Sequence, residues 1–469
     1  MSHSRSRRAA VLAAGALSLA ALAAPAVQAA PTTKFTRVAG LKVAGTPAKY
    51  DKVGVLQIGS AKAKNILVLN PGTSASAAYF APLARSIVQQ APDWQVWSVE
   101  RRENLLEDQS VIDQAKAGKA TPQQLFDYYL GWLNNKSITP HFAMIPDASV
   151  AYAKQWGMNT EIQDLRVIVK RAQSSARRLH GKVVVGGHSL GGTITSAYAT
   201  WDFGGRAGAD GLAGLLFIDG GSGPTPVTPA AARDSLSRLD AATASPWLQF
   251  GGIPAPFTGL FNSTGSLGVL LDPNAPSLGQ ASGLLPANIV PSQPVTNVGQ
   301  YGYALDVKTS PPGLAAAQAH LGTLGTGNPA GWDDTGALTP IRRMADVFSG
   351  WGLKGLDGTA WYHPLRLTID AGAVAAGNRN AAQRVLDVHA THGRDLPRDL
   401  KMYAFGAALG GKRVLDATKA LARQSHIPSK NLTLVDRHTT YAHNDPNTAD
   451  PSKNDFLKRL IPWLKSVAK

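Results

Sequence analysis

Val183-Val184-Val185-Gly186-Gly187-His188-Ser189-Leu190-Gly191-Gly192 is the stretch on which the fold of this chain turns. Three β-branched residues open it, as expected of a strand buried on both faces. A serine then stands between glycines in the pattern G-x-S-x-G, and Thr193 to Thr200 is compatible with a helix. Strand, sharp turn and helix form the context in which this pattern presents a nucleophile. Ser189 has to occupy a strained turn for its hydroxyl to project above the sheet. Gly187 and Gly191, lacking Cβ atoms, let neighbouring segments pack against that turn. The bare pattern also fits an ordinary strand-to-helix turn; the flanking strand and helix favour the nucleophile.

Outward from this stretch the chain alternates strands and helices, the rhythm of a mostly parallel sheet with crossover helices. Residues 34–69 read as three strands, the last being the continuous apolar run Asn65-Ile66-Leu67-Val68-Leu69. A turn at Asn70-Pro71-Gly72-Thr73-Ser74 leads into an amphipathic helix, and Trp94 to Val99 is the next strand. Thr160, with Gln163 at a capping-box position, is expected to open a helix running through Ile162, Leu165 and Val169. Leu215 to Ile218 is a further strand, ending at Asp219. After a long interruption, Leu400 to Phe405 and Asn431 to Val435 read as strands, Val414 to Arg423 as a helix, and the stretch around Phe456 to Leu464 as a closing amphipathic helix.

A serine hydroxyl needs a base. The last strand is followed by Asp436-Arg437-His438-Thr439-Thr440-Tyr441-Ala442-His443-Asn444-Asp445, which offers two histidines. His443 is preferred, because it lies farther out on the loop and is followed by Asp445-Pro446; His438 reads as a surface residue. The acid is expected to be Asp219, a carboxylate at the end of a strand on the same sheet edge as Ser189, with Asp416 and Asp436 as alternatives. It would hold the imidazole tautomer and stabilise the imidazolium. Two backbone N–H groups should receive the developing oxyanion, one from Leu190 and one from Thr73 in the loop after the third strand.

These residues resemble the α/β-hydrolase superfamily, its lipase- and esterase-like branch with a Gly-His-Ser-Leu-Gly-Gly elbow, over about residues 34–220 and 400–469. The resemblance implies an eight-stranded, mostly parallel sheet, a Ser–acid–His triad, an acyl-enzyme intermediate and no cofactor. Two departures stand out. Pro71-Gly72 replaces the usual His-Gly of the oxyanion loop, and the stretch Phe405 to Gly411 carries no carboxylate where the acid is usually found. Some members carry the acid one strand earlier, where Asp219 falls.

The remaining organisation follows from composition. Residues 1–29 read as a cleaved leader: Arg5, Arg7 and Arg8, an apolar run from Ala9 to Ala24, and small residues ending at Ala29. Residues 30–219 and 399–469 form the core, with an irregular insert at about 101–160. Residues 220–398, rich in Pro, Gly and Leu, are expected to be a cap with a fold of its own. Trp247, Phe250, Phe257, Phe261, Trp332, Trp351, Trp361 and Tyr362 would line an apolar pocket there or form the core of the cap. The 469 residues include no cysteine, which excludes disulfides, thiolate metal sites and a cysteine nucleophile. No H-E-x-x-H or paired-histidine spacing suggests a metal. Asp445, Asn447, Asp450, Asn454 and Asp455 read as a solvated loop and helix cap rather than a calcium site. Lys and Arg number 47 against 31 Asp and Glu, a formal charge of +16 spread without basic tracts, so nucleic acid is not an expected partner and contact with an anionic envelope is. The expectation is an exported serine hydrolase acting on small-molecule or lipid-like carboxylic esters. Acyl transfer, amide hydrolysis and a non-catalytic envelope-binding protein of the same fold are the alternatives.

Overall fold

Apolar alternation builds one eight-stranded sheet: β1 (Thr33–Ala39), β2 (Lys52–Ile58), β3 (Asn65–Asn70), β4 (Trp94–Glu100), β5 (Val183–His188), β6 (Gly214–Ile218), β7 (Lys401–Gly406) and β8 (Leu432–Asp436). The computed structural model describes residues 31–469 apart from Pro224, Gly251 and Ala376, so the leader at 1–29 lies outside the described residues. The strands run in the order β1-β2-β4-β3-β5-β6-β7-β8. β2 pairs antiparallel with β1 and β4, and the other neighbours are parallel.

Period two sorts the strand residues between two cores. Leu67, Leu69 and Val184 face α1 (Ala81–Gln90) and α10 (Asp455–Val467), whose Leu83, Ile87, Leu460 and Leu464 are buried with them. Ile66, Val68, Val183 and Val185 face α3 (Met158–Arg178) through Ile162, Leu165 and Val169. The helix that follows β5 is α4 (Leu190–Thr200). The parallel register sets His188 against Ile218, Ile218 against Phe405, and Gly406 against Asp436. Consequently Ser189, Asp219 and the loops after β7 and β8 all leave the same edge of the sheet.

Two expectations are corrected. α3 starts at Met158 with Gly157 as its N-cap, so Thr160 lies inside the first turn, where its hydroxyl donates to the Gln155 carbonyl. The free N–H of Met158 is taken instead by Asp370 Oδ2 at 2.9 Å, a partner 212 residues away. Residues 220–398 do not fold apart either, since residues 31–469 form one compact unit. Within this insertion, α7 (Ile341–Ser349) contributes Met344, Ala345 and Val347 to the α1 core, and α8 (Leu365–Ala371) contributes Leu367 to the α3 core. A third cluster joins Tyr129 and Trp156 of the 101–160 insert to Trp247, Phe257, Trp361 and Tyr362. The insertion packs on the helices that flank the sheet and so joins both cores.

Candidate active site

Ser189 has φ 56° and ψ −126°, a strained conformation for a residue with a Cβ, of the kind that costs on the order of 1–3 kcal/mol and persists only where its surroundings hold it. Its N–H donates to the Ile218 carbonyl at 3.0 Å, and its own carbonyl accepts from Gly192 at 2.9 Å. The glycines are needed for close approach. A Cβ at Gly191 would run into the Asn70 carbonyl, and one at Gly192 into Gly220. Ser189 and Leu190 stay partly exposed while Gly187 and His188 are buried. An eight-stranded, mostly parallel sheet whose fifth strand delivers a serine on a strained turn into a helix is the α/β-hydrolase fold.

Asp219 follows β6 with φ 43°. Its Oδ2 meets Nδ1 of His443 at 2.6 Å, and both side chains are buried. Oδ1 accepts from the N–H groups of Ala407 at 2.7 Å, Gly410 at 3.0 Å and Gly411 at 3.2 Å, and Oδ2 accepts from Leu409 at 3.2 Å. The carboxyl-free stretch after β7 therefore serves as a cradle of donors at the start of α9 (Gly411–Gln424), where a negative charge is favoured. A Cβ at Gly410 would stand 2.7 Å from Asp219 Oδ1. Burial opposes ionisation of Asp219, but the His443 hydrogen bond, the two nearby imidazoles and the Gly410 N–H together hold its pKa below the ordinary value.

The other titratable candidates are paired at the surface instead of with Ser189 or Asp219. His438 Nδ1 pairs with Asp436 at 2.5 Å on the surface. Asp416 pairs with Lys419 at 3.2 Å, also exposed. The stretch Asp445 to Asn454, expected to be solvated, is largely buried. Asn454 caps α10, and Asp445 accepts from Ala442 N at 2.7 Å, Thr339 Oγ1 at 2.8 Å and His320 Nδ1 at 2.5 Å. Asp445 thus ties the loop of His443 to the inserted segment.

Residues that the sequence did not single out complete the surroundings. His188 Nε2 donates to the His443 carbonyl at 2.8 Å, and the two rings stand 4.2 Å apart. Burial first, and then the neighbouring His443, push the His188 pKa down to about 3, so it is neutral with its proton on Nε2. Tyr79 lies 3.2 Å from His188 Nδ1 and donates to Asn444 Oδ1 at 2.6 Å; Asn444 Nδ2 donates to the Ala316 carbonyl at 3.0 Å. Arg101 is fully buried and donates to the carbonyls of Pro71, Gly72 and Ala75, each at 3.0 Å, with Nε on Glu103 at 2.7 Å. Because the peptide after Gly72 is planar and trans, tying its carbonyl to Arg101 turns the N–H of Thr73 the opposite way. A Cβ on Gly72 would lie 2.9 Å from Ser189 Cβ, which places this loop directly against the serine. As the first residue of α4, Leu190 has an N–H with no acceptor inside its helix.

A cavity of about 500 Å³ lies between α2 (Pro122–Tyr129) of the 101–160 insert and α5 (Phe257–Leu271) and α6 (Asn297–Leu305) of the insertion. Its lining is largely apolar and includes Phe126, Leu130, Phe250, Phe261 and Leu314. Of the aromatics expected to line a pocket, Phe250 and Phe261 do so, whereas Trp247, Trp361 and Tyr362 are core. Neither Ser189 nor His443 lines it; its Leu314–Ala317 end is joined to the histidine loop through the Ala316–Asn444 hydrogen bond.

No family model matches the sequence, and no curated protein matches it. Among solved structures, a Sulfolobus solfataricus protein assigned as a lipase is 14% identical, with 93% of this chain and 95% of that chain covered at a TM-score of 0.49. A lipase in its open form is also 14% identical, covering 93% of this chain and 100% of its own at a TM-score of 0.41. A thermostable carboxyl esterase from Bacillus coagulans in complex with glycerol is 10% identical, covering 93% and 99% at a TM-score of 0.42. At such identities the likeness is one of chain path. The fold stands on the strand order and the elbow.

Proposed function

We propose that this protein is a serine hydrolase of carboxylic esters, with Ser189 as nucleophile, His443 as general base and Asp219 as the acid that orients it. The observation that carries the reading is the 2.6 Å contact of His443 Nδ1 with a buried, donor-cradled Asp219 on the sheet edge where the strained Ser189 emerges. With Nδ1 bonded to the carboxylate, the imidazole carries its proton there and keeps Nε2 as the accepting nitrogen. Ser189 Oγ attacks the acyl carbon while its proton passes to His443 Nε2. The N–H groups of Thr73 and Leu190 receive the oxyanion, a contribution worth on the order of 10²–10³ in rate for each donor in such sites. The imidazolium returns the proton to the departing alcohol. Water, deprotonated by the same nitrogen, then releases the acid from Ser189.

The apolar cavity suits the acyl part of the ester, its volume lying within the roughly 300–1,000 Å³ usual for small-molecule sites. The leader reading of residues 1–29 places the reaction outside the cytoplasm, and Edman sequencing of protein from the culture medium should begin near Ala30. The direct test is hydrolysis of p-nitrophenyl esters from acetate to palmitate by the wild type and by Ser189→Ala. Turnover that disappears in the variant supports the proposal; equal rates in both remove it.

A further inference from the structure

The far edge of the sheet carries a second concavity, of about 1020 Å³, at the starts of β5, β6 and β7. Ser189 follows the end of β5 and Lys182 precedes its start, so the six residues between them separate the two edges by about 20 Å. Three separate stretches, residues 166–182, the loop before β6 and the start of β7, bring cations to this concavity. Arg166, Lys170 and Arg177 come from α3, Lys182 from the turn into β5, Arg206 from the loop before β6, and Lys401 from the first position of β7. The α3 positions lie at i, i+4 and i+11, one face of a helix. Four of the six lie within residues 166–182, and the fold adds Arg206 and Lys401 to them.

The charge is largely uncompensated. Asp210 and Asp399 are the acidic side chains of the lining, and Asp210 is already engaged by Arg206 at 3.0 Å. Among the described residues no ion pair engages Arg166, Lys170, Arg177 or Lys182. Arg166 is held in place by its stack over the Phe203 ring at 4.1 Å, so one cation is presented in a fixed pose. Like charges converging on a recess repel one another and concentrate the field there, an arrangement that an anion relieves. The cations surround a volume too large for one phosphate group to reach them all, and a flat bilayer cannot enter a recess. Of the two aromatic rings in the lining, Phe203 is covered by Arg166 and Tyr198 is buried, which leaves no platform for stacking nucleobases.

We propose that this recess is a docking site for a flexible polyanion with repeating phosphate groups, independent of the ester site on the opposite edge. It would tether the protein to an anionic polymer while Ser189 faces away. The test is titration of the full-length mature protein with long-chain inorganic polyphosphate by calorimetry, alongside orthophosphate and phosphatidylglycerol vesicles. Lys170→Glu/Arg177→Glu/Lys182→Glu removes three exposed cations with no ion pair. Lys62→Glu/Lys119→Glu/Lys430→Glu makes the same change of net charge at exposed positions outside the recess. Saturable binding of polyphosphate is expected, weakened at least about tenfold by the first triple, within about threefold of wild type in the second, and falling with salt. Hydrolysis of p-nitrophenyl butyrate and the melting temperature should be unchanged in both triples. Absence of polyphosphate binding, equal loss in the two triples, or binding confined to orthophosphate or to vesicles overturns the proposal.

Discussion

Replacing Asp219 by Asn separates the two things its carboxylate does. The amide oxygen can take the place of Oδ1 and keep the N–H donors of Ala407, Gly410 and Gly411. The NH₂ group then stands where Oδ2 was, facing the Leu409 N–H at 3.2 Å and His443 Nδ1 at 2.6 Å. Two donors cannot satisfy each other. His443 must therefore turn a lone pair on Nδ1 toward the amide, which moves its proton to Nε2 and disables the atom that should accept from Ser189. The loss of the correct tautomer in a comparable triad lowers kcat about 10⁴-fold, equivalent to about 5 kcal/mol of barrier. The orphaned Leu409 N–H adds a stability cost of about 1–3 kcal/mol. The assay is kcat for p-nitrophenyl butyrate together with the melting temperature. A folded Asp219→Asn protein within tenfold of wild-type kcat refutes the assignment of Asp219. A folded His443→Ala protein of wild-type activity refutes that of the base.

Other consequences follow from the same geometry. Arg101→Lys keeps the charge but loses the planar fork that grips three loop carbonyls; kcat should fall about 10–100-fold with KM little changed, and an unaltered kcat would show that the loop needs no such anchor. His188 has a folded pKa of about 3 against 6.5 when exposed, so between those values the unfolded chain binds the extra proton and stability is lost as pH falls. His188→Gln should lessen the acid loss across that window by a few kcal/mol in denaturant titrations, and an identical pH profile for the variant counts against this account. Ala304→Trp, at a position lining the cavity, should move the preferred acyl length to shorter chains while acetate turnover stays within about twofold. An unchanged optimum in that variant would remove the cavity from the acyl site.

The sequence made the elbow readable because the backbone itself is constrained there: glycine is required on both sides of Ser189, and glycine is visible in a sequence. Asp219 was readable as a carboxylate at a strand end. The loop Gly406 to Gly411 was read only for the carboxylate it lacks, yet its N–H groups are what hold Asp219, and every residue type but proline carries that donor. Arg101, Tyr79 and Asn444 escaped notice for another reason. Their roles depend on partners brought close by the sheet, such as the Tyr79–Asn444 hydrogen bond across 365 residues. The start of α3 failed in the same way, since Thr160 offers a local cap but the far carboxylate of Asp370 takes the N–H instead. The insertion was expected to stand alone because its strand–helix rhythm is lost. Amphipathic helices such as α7 carry no mark in their own sequence of which apolar face they will cover.

The central claim is that Ser189 is the nucleophile and that His443 activates it. Labelling with a p-nitrophenyl alkylphosphonate, read by peptide mass spectrometry, tests it directly. The expected result is one stoichiometric adduct on the Ser189 peptide, absent in Ser189→Ala and slowed about 10³-fold or more in His443→Ala. A label on another residue, or an unlabelled protein that still turns over esters, would contradict it.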